Sequence, residues 1–116
     1  MSPPRQRHLH DERRRDPRVH LRLPVLIEAG GRKRLRRTVD ISCGGARIAF
    51  DGGRLSQPHG PIRLSFRRPS APPLELVGIV VWHSPGSYGV RFLVADELQR
   101  LAVAELIDDG LRGIAA

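Results

Sequence analysis

The chain has 116 residues, 40% of them hydrophobic, so it can bury one hydrophobic core but not two. Ten prolines and twelve glycines are spread along it, which is too many interruptions for a helical bundle. A single cysteine excludes an internal disulfide framework, and no apolar run is long enough to cross a membrane. The N-terminus also lacks the apolar segment of a secretion signal. These features predict one cytoplasmic domain without a membrane span.

The net charge of +8 is confined to one part of the chain. Residues 1–37 contain twelve of the twenty basic residues and only four acidic ones, whereas the rest of the chain is balanced. The basic residues form two clusters, at 13–22 and 32–37, and all except Lys33 are arginines. An arginine side chain is a planar fork that fits a phosphate or the O6/N7 edge of guanine. A codon preference can explain the abundance of arginine, but its clustering indicates an anionic partner.

Segments with the periodicity of strands follow one another along the chain. Residues 1–12 are polar and show no periodicity, so we expect a flexible basic arm there. Apolar residues then alternate with polar ones, and the breaks between the alternating segments are rich in glycine and proline. We expect strands at 21–27, 34–41, 46–50, 62–66, 74–82 and 88–93.

The fifth strand and the C-terminal segment differ from the rest. Residues 74–82 form the longest apolar stretch, which predicts a central strand buried on both faces. The aromatic residues Trp82, Tyr88 and Phe92 are all expected in the core. Residues 95–107 contain no glycine or proline and start with acidic residues, which predicts a helix. The apolar stripe expected on this helix consists of Val94, Leu98, Leu101 and Ala102.

Two short motifs are the candidates for function. Arg14 and Arg18 form R-x-x-x-R, and residues 40–45 form D-x-S-x-x-G. The pattern of six short strands and one terminal helix predicts an all-β fold, a small six-stranded antiparallel barrel over residues 13–110 followed by a tail at 111–116. The first two strands of such a barrel form a hairpin. The start of the first strand and the end of the second, where the motifs lie, therefore fall at the same end of the barrel.

The side chains of the second motif suit a ligand that carries guanine and phosphate. Asp40 and Ser42 are two residues apart on a strand and share one face. An ionised carboxylate can accept from N1–H and N2–H of guanine, and a serine hydroxyl can donate to a phosphate oxygen. Gly44 and Gly45 permit positive φ and a close backbone approach to an anion. The alternatives are a β-turn with local side-chain bonds, or an ion pair between Asp40 and Arg18.

The two motifs, with G-I-V-V-W at residues 78–82 and G-V-R-F at 89–92, resemble the PilZ domain family, bacterial receptors for cyclic di-GMP. The resemblance implies a six-stranded barrel with a C-terminal helix. It also implies a site for cyclic di-GMP, with no other cofactor. In the family, the position of Arg13 influences whether one ligand molecule or an intercalated pair is bound, and a second arginine there favours the pair. The expected ligand-binding residues are Arg13, Arg14, Arg18, Asp40, Ser42, Gly44 and Gly45.

Other kinds of function stay open at this point. A PilZ-like module that contacts only a protein partner would share the fold, and a small nucleic-acid-binding barrel would also present a basic face. Nucleic acid is the weaker alternative, because the chain has few aromatic residues on which bases could stack. No enzyme is expected, since Ser42 and Cys43 have no paired histidine base. No metal is expected either, since the histidines lack metal-ligand spacing apart from H-x-H at 8–10.

A mechanism of signalling follows from the charge distribution. Nothing flanks the predicted domain that could act as an output, so we expect a free-standing receptor, as a monomer or a ligand-linked dimer. We expect mutual repulsion among the arginines to make the empty N-terminal arm flexible, and a ligand with two negative charges to draw it onto the mouth of the barrel. The ordered arm then presents an altered surface to a downstream protein effector.

Overall fold

The computed structural model describes residues 17–113, apart from the side chain of Arg54. Six antiparallel strands close into a barrel in the order β1-β2-β3-β6-β5-β4, with β4 pairing back onto β1. The expected arm at 1–12 lies outside the described residues. The strands and the C-terminal helix are β1 (Pro24–Ala29), β2 (Arg32–Ser42), β3 (Gly45–Ala49), β4 (Pro61–Arg68), β5 (Ala71–Ser84), β6 (Ser87–Leu93) and α1 (Glu97–Leu111). The predicted six-stranded barrel with one C-terminal helix is confirmed.

Apolar side chains from every strand fill the interior of the barrel. On β1 and β4 they alternate with outward-facing residues, as expected for an antiparallel sheet with one face towards the core. The largest side chains that are fully buried include Tyr88, Phe66, Ile41, Ile48 and Leu64. Because the sheet is closed, the barrel leaves few unpaired strand edges.

Two β-bulges reverse the alternation of side chains on β2 and β5. The pairing of β2 with β3 shifts between Thr38 and Asp40, and the pairing of β5 with β6 shifts between Val80 and Trp82. A bulge adds one residue to one strand, so side chains beyond it change faces. Asp40 and Trp82 therefore lie on the outer wall of the barrel. Unbroken alternation would have directed both of them inward.

The prediction that residues 74–82 are buried on both faces is wrong. Leu74 and Leu76 are buried, whereas Val77, the residue after Leu76, is 41% exposed. Trp82, which we expected in the core, is 39% exposed, although Tyr88 and Phe92 are buried as predicted. The physical reason is that the barrel has one interior only, so apolar residues on the outward face of β5 find no second layer to cover them.

Helix α1 packs through a different stripe from the predicted one. Val103 and Leu106 are buried, while two residues of the predicted stripe, Leu98 and Leu101, are exposed. The helix also continues through Gly110, where an added Cβ would lie 2.6 Å from a leucine side chain of the segment before β1. This close contact with the segment before β1 helps fix the face turned to the barrel. Within the part of the chain that is described, no helix has the length and apolar character needed to span a bilayer.

Candidate functional site

Backbone pairing holds Arg18, the last residue of the first motif, against the second motif. The N–H of Val19 donates to the carbonyl of Ile41 at 2.9 Å, and the N–H of Ile41 donates back to Val19 at 3.0 Å. Next to this bridge, Arg18 Nη1 donates to Asp40 Oδ1 at 2.7 Å. The two motifs are therefore in direct contact, through the ion pair that was one of the expected alternatives. The Arg18 side chain remains 56% exposed.

A buried threonine sets the path of the segment that precedes β1. Thr38 Oγ1 accepts from the N–H of Leu23 at 2.8 Å and donates to the carbonyl of Leu21, and the N–H of Thr38 donates to the carbonyl of Leu23 at 2.9 Å. These bonds satisfy backbone groups where the segment does not yet pair regularly with β2. Thr38 thereby positions Arg18 beside Asp40. The sequence analysis did not find it, because a threonine within a strand carries no positional signal.

Asp40 has a second cationic neighbour that the sequence analysis missed. Arg47 lies directly opposite Asp40 on β3, with its Nε 3.3 Å from Asp40 Oδ2 but without the alignment of a hydrogen bond. One carboxylate thus lies between the guanidinium groups of Arg18 and Arg47, which leaves a local excess of positive charge. The sequence does indicate this contact, because a hairpin with a two-residue loop at 43–44 places positions 40 and 47 opposite each other.

The turn of the second motif is bonded internally. Ser42 Oγ accepts from the N–H of Gly44 at 3.2 Å, and the carbonyl of Gly44 accepts from Phe92 N–H at 2.8 Å. Neither Gly44 nor Gly45 has a positive φ, so the freedom that the sequence permits is not used. Gly45 instead allows close packing, since an added Cβ would lie 2.3 Å from the carbonyl oxygen of Val90. The Ser42 hydroxyl donates only weakly within the turn, 3.5 Å from the Gly45 carbonyl, and can turn to a ligand.

The strand register aligns the site residues in rows on the outer wall. The first row crosses four strands, and at its β5 end the indole ring of Trp82 covers Gly89. At a strand spacing of about 4.8 Å, such a row is on the order of 14 Å long. The wall thus offers a carboxylate, guanidinium forks and a flat ring over the span of a dinucleotide. The first row is Asp40, Arg47, Gly89 and Trp82, and the second includes Ser42, Gly45 and Arg91.

The structure brings most of the expected ligand-binding residues together. Two of them, Arg13 and Arg14, lie outside the described residues. The remaining five lie around the end of the β2–β3 hairpin, in contact with one another or one residue apart: Arg18, Asp40, Ser42, Gly44 and Gly45.

Comparisons with known proteins identify the family and support the fold. The PilZ domain family model matches residues 12–109. The PilZ domain of CeSA from a cellulose-synthesizing bacterium has a TM-score of 0.63 and 19% identity, over 77% of this chain and 92% of that chain. The Bacillus subtilis inhibitor of motility, MotI/DgrA, has a TM-score of 0.65 and 19% identity, over 85% of this chain and 52% of that chain. Curated protein sequences give no match. The resemblance inferred from the motifs is confirmed, and the chain belongs to the PilZ domain family, a family of cyclic di-GMP receptors.

Proposed function

We propose that this protein binds cyclic di-GMP on the outer wall of the barrel, between the row that starts at Asp40 and the N-terminal segment 1–18. This segment joins the expected arm at 1–12 to Arg13, Arg14 and Arg18, and it is called the arm from here on. The contact between Arg18 and Asp40 is the observation that carries the proposal, because it joins the two motifs at one place. Membership of the family supports the class of ligand. The excess of guanidinium groups around one carboxylate supports a ligand with negative charge.

Binding exchanges the resting ion pairs for contacts with the ligand. Asp40 accepts from N1–H and N2–H of one guanine, and this releases the guanidinium groups of Arg18 and Arg47 to bind phosphate. Arg18 and Arg47 are 56% and 38% exposed, so both side chains can turn without disturbing the core. Trp82, at the far end of the row, offers a flat apolar face to a base.

The arm transmits the signal. Arg13 and Arg14 close on the phosphates and the second guanine face, and the arm then forms a new surface beside the barrel for a protein effector. Ordering the arm lowers the net affinity, because its conformational entropy is lost on binding. The position of Arg13 next to the first motif supports an intercalated pair of ligand molecules.

Isothermal titration calorimetry with cyclic di-GMP tests the site. We expect saturable binding by the natural chain, and a loss of at least about tenfold in affinity for Arg18→Ala and for Asp40→Ala, since each removes a charge-assisted hydrogen bond. Arg63→Ala is the matched control, because it removes one exposed arginine from the outer face of β4. It should change the affinity less than about twofold. The same titration gives the stoichiometry, one or two molecules per chain.

Two outcomes would contradict parts of the proposal. An absence of heat with the natural chain at tens of micromolar protein would favour a module that binds only a protein partner. A second measurement, amide hydrogen exchange with and without ligand, tests the arm. Exchange of residues 1–18 should slow on binding, and unchanged exchange would refute the ordering mechanism while leaving the binding site intact.

A further inference from the structure

A second basic cluster lies at the other end of β2 and takes no part in the proposed site. Residues 32–37 are the second basic cluster of the sequence, and three of its arginines occupy alternate positions along the strand. The register pairs them with inward-facing residues of β1, so they line the inner side of the β1–β2 hairpin. Because β3 pairs with β2 only from Thr38 onwards, this part of β2 borders an open cleft. The pairs are Arg32 with Ala29, Arg34 with Ile27 and Arg36 with Val25.

The cleft has the size and lining of a small-molecule site. Its volume is about 380 Å³, within the range of about 300–1,000 Å³ typical of such sites. The ring of Phe50 forms part of the wall, and the guanidinium carbon of Arg36 lies 5.0 Å from the ring centroid. No carboxylate occurs among the described residues that line the cleft. Asp51 approaches Arg36 only to 3.9 Å and is 95% exposed, so it leaves the charge of the arginines largely unbalanced.

A buried glutamine is independent evidence for a ligand. Gln57 lines the cleft and is 2% exposed. Its Nε2 donates to the carbonyls of Ser84 and Ser87, at 2.8 and 3.3 Å, and these bonds fix the orientation of the amide. The Oε1 atom of this amide has no hydrogen-bond partner within the described chain. Buried acceptors are rarely left unpaired, so this atom is available to a donor from beyond the described residues, such as an N–H of a ligand in the cleft.

We propose that this cleft is a second ligand site and that it takes a nucleoside triphosphate. Alternate residues on a strand are about 6.6 Å apart, so the three arginine forks can hold a chain of phosphates from one side. Phe50 supplies an apolar face for the base, and Gln57 Oε1 accepts from an N–H of the base. A polyanion, a flat ring and an N–H donor are combined in this class of molecule. The inference is independent of the cyclic di-GMP site.

Calorimetric titration of the full chain with ATP, GTP and inorganic tripolyphosphate tests this site. At least one nucleotide should bind saturably with one molecule per chain. Arg34→Ala should weaken that binding by at least about tenfold, since it removes a charged donor, whereas Arg63→Ala, with the same loss of charge on the outer wall, should change it less than about twofold. Tripolyphosphate should bind at least about tenfold more weakly than the nucleotide, because it makes no contact with Phe50 or Gln57.

The outcomes separate this proposal from the cyclic di-GMP site. Asp40→Ala should leave nucleotide binding unchanged, and Arg34→Ala should leave cyclic di-GMP binding unchanged. The proposal is overturned if neither nucleotide binds, if tripolyphosphate binds as tightly, or if Arg34→Ala and Arg63→Ala have equal effects. It is also overturned if a single-stranded oligonucleotide binds more tightly with a steep salt dependence, which would identify a nucleic-acid groove.

Discussion

Replacing Gly45 by alanine tests whether this glycine of the second motif serves the barrel or the ligand. An added Cβ would lie 2.3 Å from the carbonyl oxygen of Val90 and 3.4 Å from the Cα of Arg91. Real Cβ atoms essentially never approach other atoms within 3.0 Å. Both neighbours belong to the backbone of β6 and cannot turn aside as a side chain would. The substitution must therefore separate β3 from β6 at this point and weaken their pairing.

The expected effect on stability follows from the size of this clash. Overpacking that displaces backbone costs about 1–3 kcal/mol. In a domain of this size, each kcal/mol lowers Tm by about 4–8 °C, so Gly45→Ala should lower Tm by about 5–20 °C, as followed by circular dichroism. Gly53→Ala is the control, since its Cβ would meet no atom within 4 Å and its φ is not positive. It should change the free energy of unfolding by less than about 0.5 kcal/mol.

The same variant distinguishes the two roles of the glycine. At a temperature where Gly45→Ala is still folded, its affinity for cyclic di-GMP should stay within a few-fold of the natural chain, because the strand contact explains the glycine. An unchanged Tm combined with lost affinity would refute this reasoning. It would mean that β6 yields to the extra methyl group and that the ligand itself approaches the backbone of Gly45.

Three further predictions concern the core. Burial raises the pKa of Tyr88, the only tyrosine, from 10.0 to about 12 despite the nearby charge of Arg36. The neutral, buried Tyr88 contributes fully to stability below about pH 10, so the free energy of unfolding should fall by up to about 3 kcal/mol as the pH rises to about 12. Phenolate absorbance that appears near pH 10 in the folded protein would contradict this. Thr38→Val leaves a backbone donor and a carbonyl unpaired, so the free energy of unfolding in urea should drop by about 1–3 kcal/mol; a drop below about 0.5 would refute it. Val103→Ala should lower the free energy of unfolding by about 2 kcal/mol, and Leu98→Ala should lower it by less than about 0.5 kcal/mol. A larger effect of Leu98→Ala would mean that the helix packs through the stripe predicted from the sequence.

The alternation of apolar residues was sufficient to predict the barrel, and it failed where a bulge interrupts a strand. Val39 and Val81, the extra residues of the two bulges, are β-branched residues of the kind that regular strands prefer. No local feature of the sequence marks either position, because a bulge depends on the pairing of two strands. Trp82 was therefore placed in the core, although it lies on the outer wall. Asp40 and Ser42 were correctly placed on one face, since no bulge falls between them.

In the site, too, the sequence predicted contacts that follow from neighbouring strands but not those that depend on residues far apart in the chain. The proximity of Arg18 and Asp40 was expected because both belong to motifs at one end of a hairpin, and their ion pair was one of the alternatives. The contribution of Thr38 depends on hydrogen bonds to residues 15 and 17 positions away, which no spacing rule describes. Helix α1 is a comparable case, because the residues that contact it from the segment before β1 lie far away in sequence.

The bulge at Val39 determines how charge is divided between the two proposed sites. Before the bulge, even-numbered residues of β2 face the inner side of the barrel, so Arg34 and Arg36 line the cleft. After it, even-numbered residues face outward, so Asp40 meets Arg47 on the outer wall. Without the extra residue, the only carboxylate of β2 would lie in line with the cleft arginines and could neutralise one of them. One inserted residue therefore keeps the carboxylate on the outer wall, where the cyclic di-GMP proposal needs it, and out of the cleft, where it would repel the phosphates of a nucleotide.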